Sequence, residues 1–201
     1  MNAASVRERY LRLREEAGAG VTVVVATKYV PLEQLGVLAE AGVDVVGENR
    51  AQDLQAKHAR YGDAFRWHFI GHLQSNKVKV VNGSCELVHS LDSESAASRL
   101  TVPALLEVNL SGEPSKSGVA PTELPAFLER AAELGVEVRG LMTMPPAAAD
   151  PDASRPYFAR LRALAERHGL HELSMGTSQD YRIAAEEGAT YVRLGSTLWQ
   201  G

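Results

Sequence analysis

An alternation constrains this chain more than any other feature of its sequence. Short apolar runs and helical patterns follow one another eight times between Val21 and Leu194, with a repeat of roughly 22 residues. The first run, 21–28 (VTVVVATK), sets the type. Its valines and threonines leave no polar face, and such a strand belongs in a sheet covered on both sides, typically a parallel one. Further strands are predicted over 43–46, 67–70, 86–89, 104–109, 136–141, 172–175 and 191–194. Between them lie helices over 31–41 and 51–60, one opened by GHLQSNK, and a short one that Ser93 precedes. Later helices are expected after Thr122 as cap, from Pro156 onward, and over 178–187 with Ser178 as cap. So short a repeat fits a closed (β/α)8 barrel of the TIM type better than an open doubly wound sheet, although alternation alone does not decide between them. After the eighth strand there is no room for a full helix, whereas an extra amphipathic helix, 5–16, precedes the first strand. That helix can fill the gap between strands eight and one. With no linker or break in composition, residues 1–201 are expected to form one barrel domain.

Charge and cysteine usage remove several function classes. Basic and acidic residues number 21 and 25, a net charge of −4 without a basic block, which argues against a nucleic-acid surface. Cys85 is the single cysteine, so neither a disulfide framework nor a thiolate metal cluster is available. The six histidines show no ligand spacing, and no phosphate-binding or nucleophile-elbow motif occurs. Of those histidines only His68 is read as lying on an interior strand. No signal peptide or membrane-length apolar run is present, so a cytoplasmic protein is expected. A monomer is also expected.

In α/β barrels the chemistry sits at the C-terminal ends of the strands. Here those ends offer Lys28, Asn49, His68, Ser90, Asn109, Thr143, 174–178 and 193–196. The turns Met175-Gly176-Thr177-Ser178 and Leu194-Gly195-Ser196-Thr197 resemble the phosphate sites that barrels build after strands seven and eight. A lysine at a buried strand edge, across from such a pocket, suggests a Schiff base to pyridoxal 5′-phosphate or to a sugar-phosphate substrate. Arg193 bears on that choice. A guanidinium facing a pyridine nitrogen keeps its proton, so the ring stays neutral and is a weak electron sink. Arg193 as a plain salt-bridge partner is the competing reading.

Seven stretches carry a resemblance across nearly the whole chain: VVVATKYVP, VVGENRAQD, WHFIGHLQSNK, LLEVNLSGEPSKSG, RGLMTMPP, LSMGTSQD and YVRLGSTLWQG. On them the chain resembles the YggS/PROSC family of pyridoxal 5′-phosphate-binding proteins, which are related to the barrel domain of alanine racemase. The resemblance implies that Lys28 forms the Schiff base and that Arg193 faces the pyridine nitrogen. It further implies that Ser178, Gly195 and Ser196 bind phosphate, and that Asn49 and Met175 line the cofactor. Thr177 departs from the methionine usual in the family, and LWQG from its usual IFG. The implied function is carriage or buffering of pyridoxal 5′-phosphate, as part of intracellular vitamin B6 homeostasis and without established turnover. Pyridoxal-phosphate-dependent apoenzymes would be the partners. Tyr29, Tyr61, Tyr157, Tyr181 and Tyr191 do not evidently supply the second acid/base that a racemase needs. A small amino-acid racemase is the alternative, and a Schiff-base aldolase ranks third.

Overall fold

The computed structural model describes residues 2–199. Met1, Gln200 and Gly201 lie outside them, and with these the end of the LWQG segment and the two ends of the expected 1–201 domain. Eight parallel strands close into a barrel in chain order. They are β1 (Thr22–Ala26), β2 (Val45–Glu48), β3 (Arg66–Phe69), β4 (Leu87–Leu91), β5 (Ala104–Glu107), β6 (Val138–Met142), β7 (Glu172–Thr177) and β8 (Tyr191–Leu194). Closure is by β8 on β1, with Val24 opposite Arg193 and Val25 opposite Leu194. The helices are α1 (Ala3–Ala17), α2 (Leu35–Glu40), α3 (Ala51–Tyr61), α4 (Val78–Asn82), α5 (Glu94–Ala97), α6 (Leu124–Glu133), α7 (Arg155–Arg167), α8 (Tyr181–Glu186) and α9 (Ser196–Trp199). The closed barrel expected from the short repeat is therefore present.

Two apolar regions arise from the period-two alternation of strand side chains. The larger lies between strands and helices and takes in Val23, Val25, Leu106, Leu141, Met175 and Val192. The smaller fills the barrel, where Leu87, Leu105 and Met142 pack with Tyr191. α1 buries Val6, Tyr10 and Leu13, as its spacing predicts. It packs against β1, α2, α8 and α9, so it does occupy the gap after the eighth strand.

Several boundaries depart from the sequence reading. Neither Thr122 nor Ser178 caps a helix: α6 is preceded by Glu123 and α8 by Asp180. β4 runs on through Ser90 and Leu91, because both are buried and Ser90 Oγ donates to the carbonyl of Gly71. The strand expected from 136 begins at Val138 and extends to Met142.

Candidate functional site

The C-terminal ends of β1 and β2 are tied together before they reach the barrel mouth. Thr27 is fully buried, its backbone N–H donating to Gly47 (3.0 Å) and its hydroxyl to Glu48 Oε1 (2.5 Å). Lys57 of α3 donates to the same carboxylate oxygen (2.5 Å) and to the carbonyl of Thr27 (2.8 Å). A buried ion pair of this kind needs hydrogen bonds around it, because desolvation of both charges otherwise outweighs their attraction. With Thr27 and Glu48 turned to the helix layer, alternation turns Lys28 and Asn49 to the mouth. Lys28 is consequently exposed, which corrects the expectation of a buried-edge lysine. Its Nζ lies over the Tyr29 ring at 4.7 Å and makes no ion pair among the described residues.

Asn49 is held by a close approach of two chain segments. A Cβ at Gly71 would stand 2.1 Å from the carbonyl oxygen of Asn49, so only glycine fits there. The side-chain oxygen Oδ1 of Asn49 is buried and has no hydrogen-bond partner.

Across the mouth, β7 ends at a turn that requires glycine for a second reason. Gly176 has φ +90°, and a Cβ there would lie 2.5 Å from that of Ala184. Asp180, which the sequence reading missed, fixes the chain beyond this turn. Its Oδ1 accepts from Thr177 N (2.7 Å) and Thr177 Oγ1 (3.2 Å), and its Oδ2 from Ser154 Oγ (2.7 Å). Ser178 is thereby free to face β8. Its hydroxyl accepts from Gly195 N (3.3 Å) and lies 3.3 Å from Thr197 Oγ1. The two turns read from the sequence thus form one hydroxyl-lined surface. The first N–H groups of α9 stand beside it without intrahelical acceptors.

Arg193 is 7% exposed, and no carboxylate lies within ion-pair distance among the described residues. Its guanidinium donates to Ser174 Oγ (2.6 Å), to the carbonyl of Thr143 (3.1 Å) and to Met144 Sδ (3.5 Å). Burial lowers its pKa to about 10, opposed by the more distant Glu107 and Asp180, so the group stays charged at neutral pH. The salt-bridge reading of Arg193 is not what the geometry gives.

Below it runs a second chain of contacts. Ser174 Oγ lies 2.7 Å from His89 Nδ1, and His89 Nε2 lies 2.9 Å from His68 Nδ1. Two interior histidines are present, not one. Leu87 and His89 sit two apart on β4 and so share the inward face, a signal the sequence already held.

Lys28, Asn49, Ser178, Arg193, Gly195 and Ser196 wall one open cleft of about 320 Å³. Tyr29 and Met144 form its rim, 80% and 54% exposed. Met175 is not in the wall. Ser174 occupies the inward position, so Met175 faces the helix layer, fully buried in the larger core, and its assignment as a lining side chain is corrected. The residues present suit pyridoxal 5′-phosphate. An amine without an ion pair stands opposite hydroxyls and backbone N–H groups that suit a phosphate. The orphaned Asn49 oxygen suits a hydroxyl donor. Nε–H and one Nη1–H of Arg193 remain for a ring acceptor.

Known proteins resemble this chain over nearly its whole length. Residues 1–201 match the family described as alanine racemase, N-terminal domain. The pyridoxal phosphate homeostasis protein of Aquifex aeolicus is 41% identical, over 96% of this chain and 94% of that one. Its counterpart from Pseudomonas aeruginosa is 39% identical, over 98% and 93%. Among solved structures, PipY of Synechococcus elongatus with pyridoxal 5′-phosphate bound superposes with a TM-score of 0.87. It is 32% identical and covers 96% of this chain and 99% of PipY. A lysine/ornithine decarboxylase from Vibrio vulnificus, 14% identical at a TM-score of 0.75, shares the fold.

Proposed function

This chain belongs to the alanine racemase N-terminal domain family, and on that footing we propose that it binds pyridoxal 5′-phosphate in order to carry or buffer it. The observation that carries the reading is the convergence of Lys28, Asn49, Arg193 and the Ser178–Gly195–Ser196 surface on one cleft. In this reading residues 1–201 act as one unit, a cytoplasmic monomer that supplies pyridoxal-phosphate-dependent apoenzymes.

When bound, the cofactor supplies an aldehyde and an electron-withdrawing ring. Lys28 supplies the amine that holds the aldehyde carbon. It would do so from an exposed position at the mouth of the cleft. Ser178, Gly195 and Ser196 would hold the phosphate through hydroxyl and N–H donors. Asn49 Oδ1 accepts from a ring substituent. Arg193, charged at neutral pH, would donate to the ring nitrogen and withhold the proton that would make the ring a strong electron sink.

The wall also bears on turnover. Its titratable side chains are Lys28, Tyr29 and Arg193 among the described residues. Tyr29 stacks on Lys28 and so shares its side of the cleft, whereas racemisation needs a second base on the far side. The test is a spectrum together with a turnover assay on the loaded protein. Carriage predicts a visible absorption band that borohydride abolishes, with no racemisation of L-alanine or L-serine. Turnover would favour the racemase, and a colourless protein acting on a sugar phosphate the aldolase.

A further inference from the structure

A polar chain runs through the barrel interior beneath the cleft, and its polarity is set by its upper end. Arginine has donors only, so Ser174 Oγ accepts from Arg193 Nη1 (2.6 Å) and keeps its own proton for His89 Nδ1 (2.7 Å). His89 then carries its proton on Nε2 and donates it to His68 Nδ1 (2.9 Å). His68 in turn carries its proton on Nε2. Both rings are neutral: burial holds the pKa of His89 well below the usual histidine range and that of His68 at about 3. Tyr191 closes the chain from the side, its ring centroid 5.1 Å from His89 and 5.8 Å from His68. Ser174, His89 and His68 are all buried. A buried array of this kind costs desolvation at each member, and apolar residues fill the same interior at Leu87, Leu105 and Met142.

We propose that Ser174, His89 and His68 are positioning residues which aim the Arg193 guanidinium at the ring nitrogen of bound pyridoxal 5′-phosphate. The inference rests on the reading that Arg193 donates to that nitrogen. Thr143 O and Met144 Sδ hold the Nη2 end of the fork, the sulfur weakly, so Ser174 is the partner that fixes Nη1. The histidines fix Ser174 in turn: His89 Nδ1 accepts the hydrogen bond of the hydroxyl, and His68 holds His89 in the tautomer able to accept it.

The test uses the full chain loaded with pyridoxal 5′-phosphate labelled with 15N in the ring. S174A should move the ring-nitrogen signal toward that of R193M. It should also weaken cofactor binding roughly 2- to 13-fold, the equivalent of one net hydrogen bond of about 0.5–1.5 kcal/mol. H89L should reproduce the shift. H89N, whose amide oxygen reaches the Nδ1 position, should restore the parent signal. If R193M moves the signal while folded S174A and H89L leave it at the parent value, the positioning role is overturned and the reading of Arg193 stands. A signal unmoved by R193M itself overturns the reading of Arg193, and the positioning role with it.

Discussion

Removing Lys57 should destabilise the protein more than any exposed ion pair could, because of where its charge partner is left. Lys57 and Glu48 are 7% and 0% exposed, 2.5 Å apart, and Thr27 donates to the same carboxylate oxygen. Glu48 Oε2 is already without a partner. K57M keeps the length and the apolar stem but leaves Glu48 as a buried carboxylate with one hydroxyl donor. Breaking a buried pair on one side costs roughly 3–5 kcal/mol. Against a total stability on the order of 5–15 kcal/mol that is a large share. At about 2–4 °C per kcal/mol for a domain of this size, the melting temperature should fall by roughly 6–20 °C. Thr27 precedes Lys28 and Glu48 precedes Asn49, so the cofactor should also be held less firmly in K57M. Replacing both partners, as E48L/K57M, should recover most of the loss, since apolar replacements of a buried pair are often neutral. Thermal unfolding by circular dichroism at pH 7 reads the stability changes, and equilibrium dialysis reads the hold on the cofactor. A K57M melting temperature within about 3 °C of the parent would refute the argument.

Three more outcomes are expected of the site and the core beneath it. M175A should cost about 2–5 kcal/mol as a core cavity while cofactor affinity of the folded protein stays within a factor of about three; a tenfold affinity loss with little destabilisation would return Met175 to the cleft wall. D180A orphans Thr177 N, Thr177 Oγ1 and Ser154 Oγ, so denaturant unfolding should report a loss of roughly 1–3 kcal/mol and dialysis a weaker hold on the cofactor. The interior histidines should make the protein acid-labile: their folded pKa values lie below the unfolded value of 6.5, so their contribution is full above pH 6.5 and is lost as pH falls toward about 3. For His68 alone the loss by pH 5 is about 2 kcal/mol, and a urea midpoint unchanged between pH 7 and pH 5 would contradict it.

The barrel was legible because a closed sheet imposes a strict rule on sequence: apolar runs at a short repeat, with polar residues gathered at one strand end. Most of the cleft came from that rule, since strand ends can be read without knowing the packing. The parts that escaped depended on direction rather than position. Met175 and Ser174 are neighbours on β7, and the side each one faces is set by the register of the barrel. Ser178 read as a helix cap, but α8 starts two places later than expected, after Asp180, and the serine hydroxyl accepts from Gly195 N instead. The inward side of His89 could be read from β4, but its role could not, because its partner Ser174 lies 85 residues away in the chain. Lys57 reads as an ordinary exposed helix lysine until the fold buries it against Glu48 and Thr27.

The measurement that bears most directly on the role of the cleft is peptide mapping after borohydride reduction of the pyridoxal 5′-phosphate-loaded protein. The geometry of the cleft predicts a pyridoxyl group on Lys28, lost in K28A without loss of fold. Label found instead on Lys77 or Lys116, with Lys28 unmodified, would contradict it.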